Sequence, residues 1–317
     1  MRIVDLLAEE RWDVPWLRKA VQTAIELELS TIPPYLCALW SIADEGSAAE
    51  TLINGIVFDE MGHMGLMCNL LRGLGGVPQI KSAAPRFPGP LPGGVRPELT
   101  VYLSGLNRDM LHDVLMGIER PEHPLVEDAT FPSIGRFYGA IETALTDGNP
   151  SIVTDGQLTH AGVGLVILPT VAEAIHATDR IRGQGEGTSS SAIFDGEVAH
   201  FYQFGELYHG RTIVESPTGT FTFTGDDVPF PRTLPMARVP AGGWVNRDPD
   251  GNGTLKAFNS LYSALLEQLD AAWNGGGQPV LQQAVAKMRR MKTPAQTLMK
   301  VPLEGCPGHY GPDFKID

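Results

Sequence analysis

The stretch Phe58–Gly76 reads FDEMGHMGLMCNLLRGLGG. Glu60 and His63 are three residues apart, so on a helix both side chains reach toward one point. Ile53, Ile56, Val57, Met67 and Leu70 fall on the same side, which makes that face an inward one. A Glu-x-x-His unit facing inward from a bundle helix is the ligand unit of carboxylate-bridged di-iron and di-manganese sites. Carboxylates neutralise and bridge two cations, and the imidazole caps one of them. The spacing predicts a helix from about Ala49 to Leu74, stopped by Gly75-Gly76-Val77-Pro78.

Upstream, a helix is predicted from about Pro15 to Asp44, with a kink at Pro33-Pro34. About four residues separate the two helices, which favours an antiparallel hairpin. Glu28 falls in line with Leu17, Val21, Ala24 and Tyr35, so it is a carboxylate on an apolar stripe and needs a partner or a metal. Glu26 falls in line with Lys19, Gln22, Thr23 and Ser30 and reads as a solvated charge.

Random placement of 19 Glu and 8 His over 317 positions gives about half a Glu-x-x-His pair, and this chain has four. Helical phase sorts them. With a helix over Asp195–His209, Glu197 and His200 align with Phe201, Phe204 and Tyr208 and face inward. Glu173/His176 and Glu206/His209 fall on polar faces and read as solvated charge. The bundle formula asks for one more Glu on a helix of its own. Glu142, four residues after Tyr138, and Glu186, at a helix end shortly before Glu197, compete for that place. Tyr35, Tyr138 and Tyr202 are candidates to line the pocket, although each reads first as a core tyrosine with a bonded hydroxyl.

Downstream of Gly76 the texture changes. Ala84–Pro97, APRFPGPLPGGVRP, is neither helix nor central strand and reads as an extended wrap. Helices are predicted over Leu106–Met116, Ser133–Leu145, Thr170–Gly183, Leu255–Trp273 and Val280–Met291, and a short strand over Thr218–Thr224. The expected division is a helical bundle over residues 1–215 and an extension packed on it over residues 216–317.

Composition narrows the class. The net charge of -13 argues against a nucleic-acid binder, and 43% hydrophobic with 19% charged residues is an ordinary globular balance. No apolar run reaches membrane-spanning length. The first thirty residues carry Asp5, Glu9, Glu10, Arg11 and Asp13 and do not read as a signal peptide. Three cysteines, Cys37, Cys68 and Cys306, are not a disulfide framework, so a reducing, cytoplasmic setting is expected.

Taken together, AIELELSTIPPYL, FDEMGHMGLMCNLLRGLGG, PRFPGPLPGGVRPELT, IGRFYGAIE, RIRGQGEGTSS and EVAHFYQFGELYHGR resemble the ferritin-like family named for iminophenyl-pyruvate dimer synthase, as do LMKVPL and GPDFKI in the tail. That family includes a domain of the violacein and rebeccamycin pathway enzymes, which couple two indole-pyruvate imines. The resemblance implies a mainly α, ferritin-like four-helix bundle with a long Pro/Gly-rich crossover and a C-terminal helical and irregular extension. It also implies two iron ions, with manganese as the alternative, and a role in bacterial secondary metabolism. Carried over by position, the ligand set is Glu28, Glu60, His63, Glu142 or Glu186, Glu197 and His200. This chain is much shorter than the pathway enzymes, so their coupling reaction is not the expected one.

The leading expectation is a non-haem di-iron oxidase or oxygenase that uses O2 on a small, amino-acid-derived molecule. Neither nucleic acid nor membrane is expected as a partner, and a homo-oligomer is compatible with the reading. The rivals are an iron-binding or ferroxidase protein and a metal-free structural bundle. Six inward ionisable residues weigh against the last, because they are costly to bury without metal.

Overall fold

Asp13 begins the first long helix. Its side chain accepts from the Trp16 N–H at 3.1 Å, with Pro15 in the first turn, where a missing N–H costs nothing. The computed structural model describes residues 2–9, 11–125 and 134–316. A short helix, α1 (Ile3–Leu7), precedes α2 (Val14–Ser41). Helix α2 continues through Pro33 and Pro34, losing the two backbone hydrogen bonds that they cannot donate.

Ser47 caps α3 (Ala48–Gly73) by accepting from Glu50 N–H, while the Glu50 carboxylate reaches back to Gly46 N–H. Helices α2 and α3 pack along their length, as the short connection requires. Near the end of α3 the Asn69 amide is fully used. It donates to the Leu158 and Val166 carbonyls and accepts from Leu158 N–H and the Trp273 indole. One buried side chain thus ties α3 to the 158–166 loop and to the C-terminal region.

The crossover comes next. It carries only two 3-10 turns, Lys81–Ala83 and Pro92–Gly94, and one isolated bridge between Gly89 and Val101. Gly93 has φ +75°, and a Cβ there would lie 2.8 Å from the Ile3 side chain and 3.1 Å from that of Thr23. The wrap is pressed onto α1 and α2, and glycine is what lets it approach.

A π turn, Met110–Leu115, then runs into α4 (Met116–Glu119), which ends before Pro121. The helix thus extends three residues beyond Met116, the end expected from sequence. Helix α5 (Gly135–Gly148) packs on α6 (Val171–Glu186). Position 133, the expected start of α5, lies outside the described residues. The helix expected over Asp195–His209 is two elements. Strands β1 (Ile193–Phe194) and β2 (Glu197–Val198) form a hairpin, and α7 (His200–His209) begins only after it. Asp195 and Gly196 have φ +50° and +87°, the two positive angles of a tight Asp-Gly hairpin loop.

Helices α2, α3 and α7 with the Met110–Glu119 leg form a four-helix bundle, and α5 and α6 cover it where they meet α2 and α3. Strand β3 (Arg211–Glu215) pairs antiparallel with β4 (Phe221–Asp227), with a register shift between Arg211 and Ile213. The C-terminal region holds α8 (Thr254–Ala271), α9 (Gly277–Arg289) and α10 (Lys292–Leu298). A π turn over Ala272–Gly276 links α8 to α9 and touches α3, and α10 packs on α2. No helix among the described residues is long and apolar enough to cross a membrane. Cys37 and Cys68 are buried and Cys306 is exposed, all three as free thiols.

Candidate metal centre

Five buried side chains from the four legs of the bundle meet in its interior: Glu28 from α2, Glu60 and His63 from α3, Glu119 from α4 and His200 from α7. They form two groups of three. Glu28, Glu60 and His63 bring ligand-type atoms within 4.8 Å of one another, and so do Glu60, Glu119 and His200. Glu60 belongs to both. Its Oε1 lies 3.5 Å from His63 Nδ1 and 3.1 Å from His200 Nδ1. Glu28 Oε2 is 3.6 Å from His63 Nδ1, and Glu119 Oε2 is 3.9 Å from His200 Nδ1. The two imidazoles lie 5.9 Å apart, 23° from parallel.

Each carboxylate keeps one oxygen for the centre and has the other held from outside. Tyr138 donates to Glu28 Oε1, Tyr35 donates to Glu119 Oε1, and Thr31 donates to Glu60 Oε2 at 2.7 Å. The imidazoles are held the same way. His63 Nε2 lies 2.9 Å from Gln184 Oε1, which also accepts from Arg180 Nε at 3.0 Å. Gln184 Oε1 is therefore an acceptor and His63 donates through Nε2, so in the neutral ring it is Nδ1 that carries the lone pair. His200 Nε2 faces Asp59 Oδ2 at 3.4 Å, which leaves Nδ1 inward again. A ligating histidine needs such a carboxylate or amide partner on its far nitrogen.

Without a metal this set is electrostatically awkward. Burial and the Glu60 charge push the Glu28 carboxyl up, and the same two causes raise Glu119 to about 8. Burial lowers the tendency of His200 to charge, but Asp59 and Glu60 outweigh it and raise its pKa to about 9. His63 is likewise raised, by Glu28 and Glu60 against burial. Burial acts to raise Glu60 too, yet the imidazoles on either side hold it below the ordinary carboxylate range. Protons therefore occupy positions that cations would take.

The donor set fits a pair of divalent metals. Three carboxylates and two neutral imidazoles are the oxygen and nitrogen ligands suited to iron and manganese. His200 Nδ1 is buried 3.1 Å from Glu60 Oε1 and makes no hydrogen bond of acceptable geometry among the described residues, so the protein leaves this ligand-type atom unsatisfied.

The structure brings together four of the residues named from sequence, Glu28, Glu60, His63 and His200, and separates three. Glu197 is exposed on β2, because the Asp195-Gly196 hairpin takes it off the helix whose phase had turned it inward. Glu142 is half-buried and pairs with Arg182 at 3.4 Å, away from the cluster. Glu186 is the last residue of α6 and accepts from Gly135 N–H at 2.8 Å at the edge of the site. It belongs to neither group of three. The place contested between Glu142 and Glu186 is filled by Glu119, which the sequence reading missed. Its signal was present: Leu111, Leu115 and Glu119 are four apart and share a helix face. Tyr35, Tyr138 and Tyr202 are buried with bonded hydroxyls, as expected, but the first two bond the site's own carboxylates. Glu173 and His176 are exposed on α6, Glu206 accepts from Ile213 N–H, and His209 stacks on Phe223.

A small cavity of about 30 Å³ adjoins the cluster, and Gly135, Arg182 and Glu186 line both it and an outer crevice of about 520 Å³. Two comparisons between variants test the assignment. Glu119→Ala should lower metal affinity more than tenfold and Glu197→Ala should leave it unchanged, as read by competition with a chromogenic chelator. Gln184→Ala, which frees His63 to rotate and change tautomer, should cost about 10–100-fold in the same assay.

The comparisons with known proteins agree with the bundle. A structure described as a ferritin-like protein from Caulobacter vibrioides superposes with a TM-score of 0.67 at 22% identity, over 96% of this chain and 99% of that one. No curated protein matches. The family model described as Ferritin-like matches residues 21–209, a span that contains all five clustered side chains, and the chain belongs to that family.

Proposed function

We propose that the chain is a non-haem di-iron oxidase or oxygenase, with manganese as the alternative metal, acting on a small amino-acid-derived molecule in bacterial secondary metabolism. The observation that carries the reading is Glu60, one carboxylate shared by two buried Glu/His groups. In this reading Glu28, Glu60 and His63 would hold one ion and Glu60, Glu119 and His200 would hold the other. Two such ions supply one-electron and O2 chemistry.

The chain's own residues do the rest. Tyr35 and Tyr138 hold the outer oxygens of Glu119 and Glu28 and keep their inner oxygens aimed at the centre. The Tyr35 hydroxyl donates to Glu119 Oε1 and keeps its own proton, because burial and the Glu119 charge push its pKa up. The buried walls keep bulk water from the cluster. The outer crevice offers the exposed Arg136 to a substrate carboxylate, while its neighbour Arg182 is already paired with Asp179 and Glu142. Resemblance to the iminophenyl-pyruvate dimer synthase family supports an amino-acid-derived substrate without its coupling reaction.

O2 consumption by the iron-loaded protein tests this against a panel of aromatic amino acids and their 2-oxo acids. Uptake should depend on the organic compound. Uptake that tracks ferrous iron alone would replace the reading with a ferroxidase.

A further inference from the structure

A second cavity lies between the bundle and the C-terminal helices. It measures about 220 Å³ and shares no lining residue with the small cavity at the carboxylate cluster or with its outer crevice. Leu29 and Pro33 of α2, Met64 of α3, Leu266 of α8, Ala284 of α9 and Phe314 of the tail form much of its wall. An apolar cavity of roughly 150 Å³ is enough to take a benzene ring, so this one takes a larger body.

Three polar side chains break the apolar lining: Tyr262, Arg289 and His160, whose buried Nδ1 has no hydrogen-bond partner among the described residues. The Tyr262 ring is buried, its edge packed on Phe314 with centroids 5.0 Å apart, and its hydroxyl has no hydrogen-bond partner among the described residues. Burying a hydroxyl unpaired is costly, and few do so without a reason. At the rim stands Arg289, exposed and outside every ion pair found among the described residues. An apolar lining that includes an unpaired hydroxyl and an unpaired guanidinium suits an apolar body with one acidic head.

We infer that this cavity between α2–α3 and α8–α9 binds a monocarboxylic acid with an aliphatic body, its carboxylate paired with Arg289 and an oxygen within reach of Tyr262. A cation in place of the acid would be repelled by Arg289, and a pure hydrocarbon would leave Tyr262 unpaired. The site is independent of the metal assignment, because none of its walls belongs to the cluster.

The test is calorimetric titration of the full chain, metal-free and metal-loaded, with decanoate and with decylamine. Decanoate should bind at one site per chain in both forms, and decylamine should not. Arg289→Met should weaken decanoate about tenfold. Tyr262→Phe should weaken it several-fold while leaving the melting temperature equal or higher, since it removes an unpaired buried group. Ala284→Phe, which fills the cavity, should abolish binding, with its melting curve checking that the fold is retained. Equal binding of decanoate and decylamine, no saturable decanoate binding by the wild type, or affinities unmoved by both Arg289→Met and Tyr262→Phe would overturn the inference.

Discussion

Ferrous or manganous ion added anaerobically to the metal-free protein should raise its melting temperature by about 8 °C at pH 8 when present at about a thousand times its dissociation constant. At pH 5 it should raise it little. The pH dependence arises from the protons that the cluster holds in the metal-free protein. His200 is raised to about 9 and Glu119 to about 8, both above their ordinary values. The folded chain therefore binds protons that the unfolded chain releases. That stability is present below the ordinary pKa of each group and lost as pH rises through about 8 to 9. Glu60 is lowered, so its contribution is lost instead as pH falls through the acid range. Metal-free stability should thus decline from neutral toward pH 9. Metal displaces the protons, so its stabilisation should grow over the same interval, with protons released to an indicator dye on loading. A metal-induced shift that is the same at pH 5 and pH 8 would contradict the assignment.

Glu60→Ala should lower metal affinity by more than about a hundredfold, the largest loss of any single substitution, because one carboxylate serves both groups. The same change removes one of the anions that raise each imidazole, leaving Glu28 beside His63 and Asp59 beside His200. Their imidazole pKa values should fall toward or below the ordinary range, visible in the histidine resonances of a proton-detected titration. Glu26→Ala is the control. Glu26 is half-buried on α2 and outside both groups, so neither metal affinity nor the histidine titration should move. Equal effects of the two substitutions would leave a structural bundle without a metal site.

Helical phase was readable wherever the helix is regular. On α2 and α3 the apolar stripes of Glu28 and of Glu60/His63 place those side chains inside, and the structure buries all three. Phase failed where the backbone departs from a uniform helix. Glu197 and His200 have the right spacing, but Asp195-Gly196 spends two positive φ angles on a hairpin, so the helix starts at His200 and only that residue turns inward. An Asp-Gly pair between Ile193-Phe194 and Glu197-Val198 was the available signal. Glu119 was lost for a different reason. It lies past Met116, the end that spacing assigns to its helix, so its alignment with Leu111 and Leu115 was never counted. What no spacing rule contains is the partner of each tyrosine. That Tyr35 serves Glu119 and Tyr138 serves Glu28 depends on how α2 meets α4 and α5, which is a property of packing. The unpaired Tyr262 hydroxyl is of the same kind, since only the cavity around it makes it notable.

Anomalous diffraction at the iron edge, from crystals of iron-loaded protein, tests the central claim most directly. The account predicts two peaks inside the bundle, one within bonding reach of Glu28 and His63 and the other of Glu119 and His200, with Glu60 reaching both. A single peak, peaks ligated by Glu197 or Glu142, or no peak in the cluster would contradict it.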